Sequence, residues 1–322
     1  MMSTVKRVAG HLTLAALLLF AGACSEVSRA NEKTYQPPPS LALVAVLDPS
    51  PDRLPAEMRQ LEDVIKAGAT RNEAVVVMLL EPSFGATYVV RQGDSLSSIA
   101  AAHGLTLAAI EAANPQLGPL SGRNWKLIYT GEHVLLPNGA AGNSVLIASK
   151  APSGPEPPAL VAVPPAPSNP TDYQRAQHEH AAASAEATNQ SRISTWNDAV
   201  GQAVQPWQSQ LVARLDTISV ANQQTRPPDA AMVTASLEAA QITLQGLGGR
   251  RVLLLLGGGD NVPAALPAKS LAGIELVVAN IVDAGAMTTW QSAATAGGAV
   301  SVTALDTALT QLKLAQVVNH QA

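Results

Sequence analysis

The sequence predicts an α/β fold: a doubly wound, mainly parallel sheet that carries a small inserted βααβ module. Three observations predict it. Two uninterrupted apolar runs, "LALVAVL" at 41–47 and "AVVVMLL" at 74–80, flank a helical segment. Strand-length apolar runs alternate with helical segments again from 229 to the end. Between these blocks, a stretch at 88–137 has its own turns and its own apolar positions. Strands that are apolar throughout need cover on both faces, which parallel sheets with helical crossovers provide.

Taken in order, the N-terminus reads as an export signal over residues 1–24. Lys6 and Arg7 precede the apolar "HLTLAALLLF", and "AGAC" brings small residues up to Cys24. The apolar run is short for about 30 Å of hydrocarbon. The placement of Cys24 resembles a bacterial lipobox, with Ala21 where leucine is commonest. The resemblance implies that Cys24 is lipidated and becomes the first residue of the mature chain. An ordinary cleaved signal with an incidental cysteine is the alternative. Cys24 is the single cysteine, so no internal disulfide can form and zinc sites built on several thiolates are excluded.

Residues 25–40 are a polar tether that ends in a proline run. Residues 41–83 are the first part of the α/β domain. The strand "LALVAVL" stops at Asp48-Pro49, and Leu54, Met58, Leu61, Val64 and Ile65 recur at helical spacing before Gly68. A second strand follows and is cut off by proline. After the stretch at 88–137, residues 138–170 are dense in Pro and Gly and read as an extended or loosely packed linker. Residues 171–322 complete the domain. Trp196, Val200, Val204, Trp207, Leu211, Leu215 and Ile218 form one apolar helical stripe, which Pro206 should kink or split. A helix at about 229–246, the strand "RVLLLL", a strand within "SLAGIELVVANIV", the helix "MTTWQSAATAGG", the strand "AVSVTAL" and a final helix capped by Asp306 follow. The simplest architecture puts both α/β blocks in one sheet, with 88–137 inserted between them.

Composition narrows the function. Aromatics make up 3% of a chain that is 47% hydrophobic, so the core must be built from Ala, Val, Leu and Ile. A net charge of −4 with 14% charged residues excludes the basic footprint of a nucleic-acid binder.

The stretch "YVVRQGDSLSSIAAAHGLTLAAIEAANPQLGPLSGRNWKLIYTGEHVLLP" reads as strand, turn, helix, turn, helix, loop, strand. Ile99, Ala100, Leu105, Leu107, Ile110 and Ala113 are placed to face a small core. Gly93 permits a tight turn, Ser95 can cap the next helix, and Asn114-Pro115 stops the second one. This segment resembles the lysin motif (LysM). The carrying residues are Tyr88 and Val90, the Gly93-Asp94-Ser95-Leu96 turn, Ser98-Ile99-Ala100, Asn114-Pro115 and the ending "IYTGEHVLLP". The loop 116–127 is longer and richer in glycine than usual, and Glu132-His133 departs from the common pattern. The resemblance implies a βααβ module that binds N-acetylglucosamine-containing glycans in a shallow groove. Gly93, Asp94, Ser95 and Leu96 would form one wall, and Asn114, Pro115, Gln116 and Ile128 the other.

The α/β part resembles a von Willebrand factor A-type domain in "LVAVLDPSPD", "RVLLLLGGGDN", "IELVVANIV" and "AATAGGAVSVTAL". That resemblance implies a metal site after the first strand, but the motif is degenerate: Asp48-Pro49-Ser50-Pro51-Asp52 lacks the last serine. Asp48, Ser50 and Asp260 are weak candidates, and Thr225 aligns loosely. A hard cation needs more well-placed oxygens than these. "GGGD" at 257–260 lacks the remaining glycine of a nucleotide loop. His178 and His180 are two apart in a helical stretch and point different ways. No cofactor, cysteine nucleophile or acidic pair for glycoside cleavage emerges.

These readings converge on a non-catalytic envelope lipoprotein, held to the extracytoplasmic face of a membrane through Cys24. It would bind peptidoglycan and present an α/β domain to a protein partner. A cell-wall hydrolase or a metal-dependent adhesion domain is the alternative.

Overall fold

A computed structural model describes residues 33–68, 72–80, 84–137, 145–221 and 227–320. The export signal, Cys24, residues 25–32 of the tether and Thr225 lie outside the described residues. The described chain divides into two compact units, residues 33–38 with 155–200 and residues 39–154 with 201–320.

The larger unit is a mixed α/β fold around a six-stranded sheet. In chain order its elements begin with β2 (Leu41–Leu47), α1 (Leu54–Ala67) and β3 (Ala74–Leu79), after a short β1 (Lys33–Thr34) in the other unit. The inserted module supplies β4 (Phe84–Val89), α2 (Leu96–Ala102), α3 (Leu107–Ala113) and β5 (His133–Pro137). Then come β6 (Val145–Lys150), β7 (Ala159–Leu160) in the other unit, α4 (Asp172–Ala221), whose first part to Val200 also belongs to that unit, α5 (Ala230–Gln245) and β8 (Arg250–Leu255). β9 (Glu275–Ile281), α6 (Ala284–Ala296), β10 (Ser301–Asp306) and α7 (Thr307–Asn319) complete the chain.

The strand order is β10-β9-β8-β2-β3-β6. Every neighbouring pair is parallel except β3 and β6. β2 pairs with β8 in a register that sets Leu43 against Val252 and Val46 against Leu255. The two α/β blocks therefore share one sheet, and residues 84–137 lie between the strands of the antiparallel β3–β6 pair.

The apolar runs explain the layering. All seven residues of β2 are buried, and alternate residues serve opposite faces. Leu43, Ala45 and Leu47 join α1, the 211–218 part of α4 and α7 in one cluster. Val44 and Val46 join α5 and α6 in the other, where Trp290 is fully buried. Each buried Val or Leu contributes about 1.5–3 kcal/mol, so the paucity of aromatics is offset by number. Asp229, Asp283 and Asp306 each accept a backbone N–H at the start of a helix, as expected for Asp306.

One sequence expectation is corrected and another is narrowed. Residues 145–150, read as part of the linker, form the edge strand β6, because the apolar "VLI" pairs with Val77 and Met78 despite its Pro- and Gly-rich surroundings. Of the two outcomes expected at Pro206, a kink or a split, the split does not occur: α4 continues through it. Proline in a helix interior costs about 3 kcal/mol. Anchoring on either side offsets this: Val204 and Leu211 are buried, Trp207 Nε1 donates to Ser149 Oγ at 2.8 Å, and Gln208 Nε2 donates to the Ile65 carbonyl at 2.5 Å. Among the described residues, no single helix is long and apolar enough to cross a membrane.

In the smaller unit, the Pro-rich segment is ordered along α4. β1 pairs with β7, and Tyr35 meets Trp196 edge to face at 5.5 Å. Asn189 exchanges two hydrogen bonds with the Val161 backbone, and Trp196 Nε1 donates to the Pro155 carbonyl. The His178 ring sits 2.9 Å from the Pro164 carbonyl oxygen.

The inserted module is packed on the sheet rather than hung from it. Leu120 joins the cluster beneath α5 and α6, and Ala113 and Leu135 pack against Ala239. At the end of α5, Gly246 lies under Gln116 so closely that a Cβ there would come within 2.7 Å of the Gln116 Cβ. Gly246→Val should therefore loosen this docking by about 1–3 kcal/mol. Hydrogen exchange should show faster exchange in residues 113–121, with the amides of β2 and β8 still protected.

Candidate glycan-binding site

The inserted module is built around the antiparallel β4–β5 pair, in which Tyr88 faces Val134. Val90, Leu96, Ile99, Ala100, Ile110, Leu117, Val134 and Leu136 form its core. Leu105 is half-buried against that core, whereas Leu107, expected inside, is exposed at the first position of α3. There it precedes the helix's inward face, which begins at Ile110.

The first wall is a tight turn. Gly93 sits at φ +88°, where a Cβ would be strained. Asp94 Oδ2 accepts from the Arg91 N–H at 2.7 Å and from the Tyr88 hydroxyl at 2.8 Å. These two bonds, the backbone one first, hold the Asp94 carboxyl below the ordinary carboxylate value. Ser95 and Ser98 form a reciprocal capping box that starts α2. Asp94 and Ser95 thus both act locally, while Leu96 points into the core.

The second wall is held from inside. Asn114 is fully buried. Its amide donates to the Ile110 and Leu135 carbonyls at 2.8 Å each, and its Oδ1 accepts from the Leu135 N–H at 2.7 Å. Pro115 opens a 3₁₀ turn, and Gln116 is buried with its Nε2 on Asn114 Oδ1. Asn114 and Gln116 therefore shape this wall without exposing their side chains. Ile128 packs on the same small core as Leu96, which ties the two walls together.

A brace that the sequence did not suggest fixes the intervening loop. Glu132 accepts from Arg123 Nη1 at 2.6 Å, from Arg123 Nη2 at 3.1 Å and from the Tyr129 N–H at 2.7 Å. Partial burial raises the Glu132 carboxyl, but the Arg123 and Tyr129 bonds outweigh it and leave it below its ordinary value. Arg123 also stacks 4.9 Å from the centre of the exposed Tyr129 ring. The only sequence trace of this brace was the unusual Glu132.

The order of elements, the positive-φ Gly93 turn and the buried Asn114 at the end of α3 decide the assignment together with one comparison. Residues 88–137 match the LysM domain family. This segment is a LysM domain. No solved structure matches the chain significantly. LysM domains suggest binding of peptidoglycan-type glycans. The module presents backbone groups and small apolar surfaces on two braced loops.

The carboxyl ends of the sheet strands form a second polar region. Asp48, directly after β2, is fully buried. Its Oδ1 accepts from the Ser50 N–H at 2.9 Å and from the Ser50 hydroxyl, and Oδ2 lies 3.9 Å from Arg53 Nε with no hydrogen bond. Glu57 Oε2 accepts from the Asp48 N–H at 2.7 Å. The structure thus brings Asp48 and Ser50 together. Asp260 instead accepts from the Val282 and Asp283 N–H groups after β9. Among the described residues, no three His, Cys, Asp or Glu side chains are grouped to hold a metal ion.

Burial raises the Glu57 carboxyl to about 8, against the opposing Asp48 N–H bond and with help from the nearby Asp48 charge. A neutral buried Glu57 stabilises the fold fully below its ordinary value of 4.5, and this is lost as pH rises toward about 8. Urea denaturation across that window should show falling stability, and Glu57→Gln should flatten the slope. For Asp94 the sign is opposite. Its contribution is present above the ordinary carboxylate range and is lost as pH falls through its lowered value. In an NMR pH titration, the Arg91 amide should report a low midpoint that moves up toward the ordinary value in Tyr88→Phe.

Proposed function

We propose that this protein is a non-catalytic envelope lipoprotein that binds peptidoglycan through its LysM domain and presents the α/β domain to a protein partner. The observation that carries the reading is the LysM match over residues 88–137 with its Gly93–Leu96 turn intact. Binding would use the surfaces around Gly93, Asp94, Ser95 and Ile128, with Leu96, Asn114, Pro115 and Gln116 supporting them from below. One shallow groove yields modest affinity, and many copies on one membrane would raise it through avidity.

The N-terminal reading supplies the second attachment. Acyl chains on Cys24 would anchor the protein, since two or more chains, at about 0.8 kcal/mol per buried CH₂, hold stably. Residues 25–40 would span outward from the extracytoplasmic face. The von Willebrand factor A-like reading of the α/β domain draws support from its mostly parallel sheet with helices on both faces and from the Asp48–Ser50 turn directly after β2. Asp260 is occupied by backbone N–H groups, which favours a turn role over metal binding. The scaffold reading needs no cofactor and no nucleic acid.

Co-sedimentation with purified wall sacculi tests the main claim. The intact protein should pellet, and a variant lacking residues 88–137 should stay in the supernatant; equal pelleting would falsify the LysM attachment. Clearing of peptidoglycan in a zymogram would favour the hydrolase alternative instead. Cys24→Ser should move the protein from the membrane fraction to the soluble one.

A further inference from the structure

The LysM domain and the outer strand of the sheet border an open cleft of about 600 Å³, which lies apart from the Gly93–Leu96 turn and has Pro115 of the second wall in its lining. Its size falls within the range of small-ligand sites, about 300–1,000 Å³. One wall carries Glu111 on α3, Pro115, Pro119 and Trp125, and the other carries Ser149 and Lys150 at the end of β6.

Three features of this cleft agree on one kind of ligand. The first is the backbone. Among the described residues, β6 has a single ladder partner, β3, so its opposite edge offers unpaired N–H and C=O groups beside the cleft. An extended peptide can pair with such an edge. The second is charge. Glu111 and Lys150 stand on opposite walls, and neither has an ion-pair partner among the described residues. A ligand with both an ammonium and a carboxylate complements them. The third is apolar support. The half-buried Trp125 ring is packed on Gly118, where any Cβ would collide with it, and the exposed Pro119 extends that surface. Ser149 is fixed as well, because its hydroxyl accepts from Trp207 Nε1.

The geometry points to this cleft as a binding site for a short extended peptide that carries both a free ammonium and a free carboxylate. The inference rests on the peptidoglycan reading, because peptides attached to wall glycans have this chemistry. A glycan on the LysM loops and a peptide in the cleft would then belong to one polymer.

Calorimetry on the full chain tests it with three probes: peptides released from peptidoglycan by an amidase, soluble glycan fragments with peptides attached, and a peptide-free chitooligosaccharide. The released peptide should bind. The peptide-bearing fragment should bind about tenfold more tightly than a chitooligosaccharide of equal length, through the effective concentration of the second contact. Lys150→Glu and Glu111→Lys, both at the surface, should each remove that gain and leave chitooligosaccharide affinity unchanged. Failure of the peptide to bind, free or attached, would overturn the inference, as would a gain that survives both substitutions. If the peptide binds and the chitooligosaccharide does not, the cleft stands and the glycan reading falls.

Discussion

Leu43 lies beside Val252 in a parallel ladder, and the chain between them, which also supplies β3 and β6 to the sheet, must make its other segments leave the sheet and return to it. That pairing of β2 with β8 is the constraint on which the rest of the structure depends. It joins two α/β blocks encoded at opposite ends of the chain and forces the intervening residues into excursions. One of those excursions, between β3 and β6, contains the LysM domain. Loop closure grows only slowly in cost with length, so a long insertion is tolerated once the central strands are paired. The burial of both faces of β2 makes that pairing strong enough to carry it.

The docking of the LysM domain follows from the same arrangement. Because β3 and β6 are neighbours, the insertion leaves and re-enters the sheet at adjacent strands. It is then drawn down onto α5 through Ala113, Leu135 and Gln116. Docking occupies one face of the module and leaves the Gly93 turn outside that contact. The loop that follows α3 is therefore supported twice, by Asn114 within the module and by Gly246 beneath Gln116. Such support favours a preformed site, which reduces the ordering cost of binding.

Much of this was legible in the residues, for physical reasons. Runs such as Leu41–Leu47 and Val252–Leu256 are apolar at every position, which only a doubly covered strand satisfies. The LysM turn was legible because glycine, a capping serine and proline each act within a few residues of themselves. What escaped depends on contacts that carry no local signature. β6 hid in a Pro- and Gly-rich segment because six residues are too few to show a period. Arg123 and Glu132 meet across a loop with no repeating spacing. Asn114 was placed in the second wall with nothing to say which way its side chain turns. An asparagine at a helix end can turn either way, and here Leu135 and Ile110 supply buried backbone groups that need it. Leu107 was read as core because apolar spacing alone does not say where an inward face begins.

The central claim is that two braced loops of one LysM domain read an N-acetylated glycan. Backbone NMR of the full-length protein, titrated with a chitooligosaccharide, examines it most directly. The account predicts saturable shifts concentrated in residues 92–97 and 115–129, with the amides of β2 and β8 unmoved. Shifts absent from both loops, or confined to the sheet, would contradict it.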